Sequence, residues 1–167
     1  MSVEYRRFTI EARANETSDY IVRGYATTFE DVYILFGDQD YEIREVIDRG
    51  ALNDAEMNDC ILQYNHEGRI FARRSNGTLR LKVDRKGLYI EADLSGTEGG
   101  RQLYNEIRGV YTTKMSIGMR VDVSQDVWTQ HKEGEKVIET RRVNRIVKLY
   151  DVSAVSMPAN PYPNISA

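Results

Sequence analysis

The sequence predicts an α+β fold: a mainly antiparallel β-barrel, closed or partly closed, flanked by a few helices. Three observations point that way. Short runs rich in β-branched and aromatic residues recur along the chain. Thr78 to Leu94 alternates as a hairpin does, and Ser95 to Val110 carries a helical period. The 167 residues suit one domain, able to bury roughly two-thirds of the surface of its unfolded chain. We therefore read 1–167 as a single domain.

In chain order, Phe8 to Ala12 and Tyr20 to Ala26 read as strands around the polar stretch Arg13 to Asp19, an opening hairpin. Asp31 to Asp40 mixes Gly37 with acidic and aromatic residues at no sustained period, the pattern of a loop before a strand at Glu42 to Ile47. Ala51 to Asp59 can form a short helix with Leu52, Ala55 and Glu56 on one side, although its acidic residues and asparagines lower its propensity. Ile61 to Tyr64 reads as a strand and Glu67-Gly68-Arg69 as a turn.

Thr78 to Val83 and Leu88 to Leu94 alternate around the turn Asp84-Arg85-Lys86-Gly87, giving one dry and one wet face. Ser95 and Glu98 stand at capping-box spacing, and Leu103, Ile107 and Val110 follow at helical spacing, with Gly109 near the end. These predict a helix whose first turn Gly99 and Gly100 weaken by roughly 1 kcal/mol each relative to alanine. A strand runs through Ser116. The charged run Gln130 to Lys136 forms a hairpin tip between Asp122 to Trp128 and Val137 to Val143, and strands continue to Ser156.

Composition excludes several classes of function. With 23 basic and 26 acidic residues the net charge is −3, which supplies no general attraction to phosphate backbones or anionic lipid, so neither nucleic acid nor membrane is an expected partner. No stretch approaches the roughly 18 apolar residues of a spanning helix. The lone Cys60 closes no internal disulfide, and Met1 to Arg7 holds no apolar signal core, as in a cytoplasmic protein. His66, His131 and Cys60 form no metal-ligand spacing, so no metal or cofactor is expected.

Two stretches carry candidate chemistry. In Lys114 to Val121, alternation sets Met115, Ile117, Met119 and Val121 on one face and Lys114, Ser116, Gly118 and Arg120 on the other. Ser116 is thus either a polar outward residue or a nucleophile, and a serine nucleophile needs a base within hydrogen-bond reach. Gly118 beside it leaves room for a substrate backbone. His66 ends the run Leu62-Gln63-Tyr64-Asn65, where it is either a base or a strand-end histidine bonded to a backbone group. His131 reads as a solvated loop residue, and Cys60 as a small buried hydrophobe roughly 20 Å along the strand from His66. Lys114 shares the face of Ser116 at a Cα separation of roughly 6.5 Å, which keeps a Ser-Lys dyad open. Arg120 is either an oxyanion or substrate ligand or an ordinary solvated arginine.

Several segments, taken in order, resemble the prohead maturation proteases of tailed bacteriophages, serine proteases whose fold is similar to the herpesvirus assembly proteases. They are Gly24-Tyr25-Ala26 with Phe29, Glu45 to Leu52, Asn65-His66, Gly87 to Ala92, Lys114 to Met119, and Asp151 to Pro161. The resemblance implies that His66 is the general base and Ser116 the nucleophile. It also implies that Asp151, where the family motif often carries glutamate, orients the histidine; a carboxylate there is alternatively a turn ligand of the sheet. It further implies an endopeptidase that trims the major capsid protein precursor and its scaffolding segment, and itself, packaged inside the immature prohead in the host cytoplasm, and a homo-oligomer such as a dimer. The Pro-containing end, about 158–167, reads as extended, the end of a self-processed or truncated chain. The alternatives are a capsid-assembly or scaffold-binding protein of the same fold without activity, and a lipase or esterase. The second lacks the Gly-x-Ser-x-Gly elbow.

Overall fold

The computed structural model describes residues 2–8, 13–14 and 20–156. In chain order the strands are β1 (Glu4–Phe8), β2 (Arg13–Ala14), β3 (Ile21–Thr28), β4 (Val32–Gly37), β5 (Tyr41–Ile47), β6 (Ile61–Tyr64), β7 (Glu67–Arg73), β8 (Leu79–Val83), β9 (Gly87–Asp93), β10 (Lys114–Val121), β11 (Val127–Glu133), β12 (Lys136–Val143) and β13 (Ile146–Val155). A helix, α1 (Glu98–Arg108), joins β9 to β10. Among the described residues the protein is thus mostly β with one α-helix, where a few helices were expected.

The strands form three sheets, ordered β1-β10-β13-β6-β7, β11-β12-β5-β4 and β2-β3-β9-β8. Among the described residues no closed barrel forms. Most ladders are antiparallel, but β5 with β12 and β6 with β13 are parallel and join segments far apart in the chain, so neighbouring strands do not wind on as a continuous meander. The core fills the space between sheets with Ile47, Leu62, Leu88, Ile90, Leu94, Ile117, Met119 and Val152, all buried. Central strands β10 and β13 are buried along most of both faces, which is why Asp151 to Val155 shows little alternation.

Several expectations are met. The hairpin β8–β9 pairs Leu79 with Ala92 and Val83 with Leu88. The strands at Glu42 to Ile47 and Ile61 to Tyr64 are β5 and β6. Helix α1 forms, and Leu103 and Ile107 face the core.

Others are corrected, each by tertiary context. The N-cap is Thr97, whose hydroxyl accepts the Gly100 N–H at 2.9 Å, rather than Ser95. Gly100 is required, because a Cβ there would stand 2.5 Å from the Leu94 carbonyl oxygen. Val110, placed in the apolar stripe, lies beyond the helix and is exposed, with a left-handed φ of 65°. The predicted loop 31–40 contains β4, an edge strand whose Val32 and Phe36 are exposed, so neither face carries a clean period. Residues 51–59 form consecutive turns instead of a helix: Asp48 holds the Gly50 N–H at 2.8 Å, and β13 captures the Glu56 N–H through Val147 O at 2.9 Å.

β1 pairs with β10 rather than with β3, while Arg13 and Ala14 pair with β3. The rest of the opening hairpin's first strand, 9–12, lies outside the described residues, as does the C-terminal segment 158–167. The tip between β11 and β12 shrinks to Gly134 and Glu135, and the charged residues before it are strand. No helix among the described residues is long and apolar enough to cross a membrane.

Candidate active site

Three strands that do not follow one another in sequence bring the candidate residues together. Ser116 lies on β10 opposite Ser153 of β13, and Asp151 of β13 lies opposite Gly118. β6 runs parallel to β13 on its other side, and the link from β6 to β7 is Asn65-His66 alone. Both residues have positive φ, 53° and 63°, the backbone of a type I′ hairpin turn. The turn therefore lies at 65–66 and not at 67–69, and His66 occupies a conformation costing roughly 1–2 kcal/mol for an L-residue. Asn65 pins it: its N–H reaches the Ala154 carbonyl at 2.9 Å, and its side-chain oxygen accepts the Ser156 N–H at 3.0 Å.

The turn aims the imidazole along the sheet. His66 Nε2 lies 2.5 Å from Ser116 Oγ, and Nδ1 lies 2.6 Å from Asp151 Oδ1. An ionised carboxylate only accepts, so Nδ1 carries a proton toward Asp151, and Nε2 is left to face the serine. Ser153 ties the group together, donating its hydroxyl to Asp151 Oδ1 at 2.7 Å and accepting the His66 backbone N–H at 3.2 Å. An aspartate thus reaches where the resembling motif often has glutamate. Chemically, the line can move a proton from a hydroxyl to an imidazole whose resulting charge is balanced by a carboxylate.

Ser116 is not the outward residue its pattern allows: it is 0% exposed. β1 covers it. Arg7 pairs with Ser116 across the ladder, and the Ser116 hydroxyl lies 2.7 Å from the Arg6 carbonyl oxygen. The Tyr5 ring packs on the imidazole at a centroid distance of 4.3 Å. Gly118 makes room for protein groups rather than for substrate: a Cβ there would stand 2.1 Å from Asp151 Oδ2 and 2.9 Å from the Tyr5 ring.

The Arg6 side chain goes elsewhere, into a knot of charges. Its Nε and a terminal nitrogen bind both oxygens of Glu45 at 2.5 and 2.9 Å, and it also pairs with Glu4. Arg141 joins Glu4, Glu45 and Asp126 at 2.6, 3.3 and 2.6 Å. Glu45 is fully buried. Burial raises Glu4 and Asp126 alike; Arg141 and Arg6 bring Glu4 below its ordinary value, whereas Asp126 stays above its own despite Arg141.

The other candidates are not drawn in. Among the described residues, the side chain bonded to Ser116 is that of His66, and Lys114 is not on it. Arg120 keeps a buried Nε without a partner, and no hydrogen bond links it to Ser116. Cys60 is buried, and burial followed by the charge of Asp151 pushes its thiol up to about 12, which suits an inert hydrophobe. His131 is exposed as expected, but on strand β11, beside Glu133 at 3.2 Å. Sequence reasoning missed Tyr5, Arg6, Glu45 and Ser153. An available signal was Asn65 before His66, the residue type that most readily opens a type I′ turn.

A family model described as Caudovirus prohead serine protease matches residues 8–167. No curated protein and no solved structure matches the chain.

Proposed function

The chain belongs to the caudovirus prohead serine protease family, and on that premise we propose that it is an endopeptidase of phage head assembly working through an acyl-enzyme on Ser116. What supports the residue assignment is one observation, the line from Ser116 Oγ to His66 Nε2 at 2.5 Å and from Nδ1 to Asp151 at 2.6 Å. Ser116 Oγ attacks the scissile carbonyl carbon as its proton passes to Nε2. The C–N bond then breaks and the leaving amine takes that proton. Water repeats the sequence on the ester, giving its proton to Nε2 and its oxygen to the new carboxyl, and Ser116 recovers its hydroxyl. Asp151 keeps Nδ1–H directed at itself and stabilises the imidazolium.

The substrates are the scaffolding segment and the capsid protein precursor, met inside the prohead within the host cell, and the protease chain itself. The test is co-expression with capsid precursor of wild type, Ser116→Ala, His66→Ala, Asp151→Asn and Lys114→Ala, with cleavage read on a gel. Wild type and Lys114→Ala cut; Ser116→Ala and His66→Ala do not. Full cleavage by Ser116→Ala overturns the serine mechanism. Cleavage by His66→Ala but not by Lys114→Ala replaces it with the Ser-Lys dyad, and assembly indifferent to all four substitutions favours a binding protein of the same fold.

A further inference from the structure

A protease that cuts extended chains must let a strand reach its nucleophile, yet Ser116 is 0% exposed. The strand that hides it is the chain's own. β1 is the edge strand of its sheet and its ladder partner is β10, so without β1 the free edge of β10 beside Ser116 is open to strand addition. The Arg6 carbonyl of β1 lies on the nucleophile, 2.7 Å from Ser116 Oγ. Tyr5 meanwhile covers the imidazole, at a centroid distance of 4.3 Å.

The contact also competes with the chemistry. A serine hydroxyl has one proton to give, and two acceptors face it, His66 Nε2 at 2.5 Å and the Arg6 carbonyl at 2.7 Å. With the proton on the Arg6 side, Nε2 must itself carry a proton to bond Oγ, and it is no longer a base. A strand in this position is held like substrate and blocks turnover.

What fastens it is the Arg6 guanidinium, bound to both oxygens of a fully buried Glu45. If β1 leaves, Arg141 still faces Glu45 at 3.3 Å, but the paired positions taken by Arg6 fall empty. A buried carboxylate with an unfilled bidentate site favours a basic side chain over a neutral or acidic one.

We infer that β1 occupies the substrate's own track along β10, and that substrates enter as an antiparallel strand carrying arginine or lysine just before the cleaved bond, directed at Glu45 as Arg6 is. Glu45 is then a specificity-determining residue, and release of β1 is the step that admits substrate. This inference rests on the serine protease reading, and it goes beyond it to name the recognised side chain and the blocking strand.

The test uses the full chain and two readouts. The first is the rate of covalent labelling of Ser116 by a small fluorophosphonate, compared between wild type and Arg6→Ala. Labelling at least tenfold faster in Arg6→Ala is expected. Equal rates overturn the blocking role while leaving the serine reading intact, and no labelling in either chain overturns both. The second does not depend on any variant folding. Wild-type protein is incubated with peptides that differ only in having Arg, Lys, Ala or Glu before the cut, and Arg and Lys peptides are expected to be cut at least tenfold faster. Equal or reversed rates overturn the assignment of Glu45. In Glu45→Gln the preference should collapse toward unity; a uniform loss of rate with the preference retained gives Glu45 a structural role only and overturns its part in specificity.

Discussion

Two polar networks meet at β1 and differ in construction. Ser116, His66 and Asp151 form a line in which the hydroxyl faces Nε2 at 2.5 Å and Nδ1–H donates to the carboxylate at 2.6 Å. Glu4, Arg6, Glu45, Arg141 and Asp126 form a mesh in which the guanidiniums each hold several carboxylates at once. Neighbouring residues of a strand point to opposite faces, so Tyr5 meets the line while Arg6 enters the mesh. A line suits proton movement, because protonation at one end changes the other. A mesh suits grip, because no single proton or bond decides it. Substitutions in the line should therefore cost turnover, and those in the mesh should cost stability.

The largest effect separates the two outright. Ser116→Ala should lower precursor cleavage by roughly 10⁴-fold or more, since nothing else in the line can form the acyl bond. Its thermal stability should stay within about 1 kcal/mol of wild type, the net worth of an ordinary hydrogen bond. A gel assay and a melting curve on the same preparation check both halves, and a large loss of stability would make the line a structural network.

Arg141→Met tests the mesh. It leaves Glu45 dependent on Arg6 and strips Asp126 of the ion pair that faces it at 2.6 Å. Breaking one partner out of a buried charge cluster costs about 3–5 kcal/mol. Chemical denaturation should show that loss, while the rate of Ser116 labelling by fluorophosphonate should not fall; a stable but unreactive variant would place Arg141 in the line's service instead.

Gly118→Ala probes the boundary without changing a polar group. The added methyl would meet Asp151 Oδ2 at 2.1 Å and the Tyr5 ring at 2.9 Å, so the carboxylate, the strand or both must move. Overpacking of this kind costs about 1–3 kcal/mol, and a shift of the orienting group by an ångström slows catalysis roughly 10²-fold. Peptide hydrolysis alongside denaturation should show both losses. Loss of stability alone would mean that the line tolerates displacement of Asp151.

How much of this was legible in the sequence follows the same division. The hairpin β8–β9 and the core face of α1 are local patterns, and periodicity found them. Ser116 and His66 could be named by residue type and family resemblance, but nothing in their own segments puts them in contact: β13, distant from both in sequence, stands between β10 and β6 and sets their spacing. The mesh was not legible at all. Alternation puts Glu45 on the face of Ile43 and Ile47 in the strand Glu42 to Ile47, but nothing local names its partners, and its burial is tolerable only because Arg6 and Arg141 arrive from distant parts of the chain. The turns at 51–59 carry a helical pattern in sequence for a related reason, since backbone capture by β13 is a tertiary event.

The smallest effect is the part of the pH dependence that the mesh supplies. Burial raises Glu4, but Arg141 and Arg6 outweigh it and hold the group below its ordinary value of 4.5. A carboxylate depressed on folding adds stability that is fully present above its unfolded value and is lost as pH falls through the folded one. Asp126 runs the other way: burial raises it above 3.8 despite Arg141, so it withholds stability at neutral pH and returns it as acid protonates it. On acidification protonation of Asp126 should therefore offset part of the loss, and protonation of Glu4 should loosen β1. Denaturation midpoints between pH 7 and pH 3, compared in wild type and Glu4→Gln, check the contribution of Glu4. The wild type should hold a small advantage at neutral pH that disappears only toward the acid end. An advantage already gone above pH 4.5 would mean that Glu4 is not held by the guanidiniums, and that the mesh grips β1 through Arg6 alone.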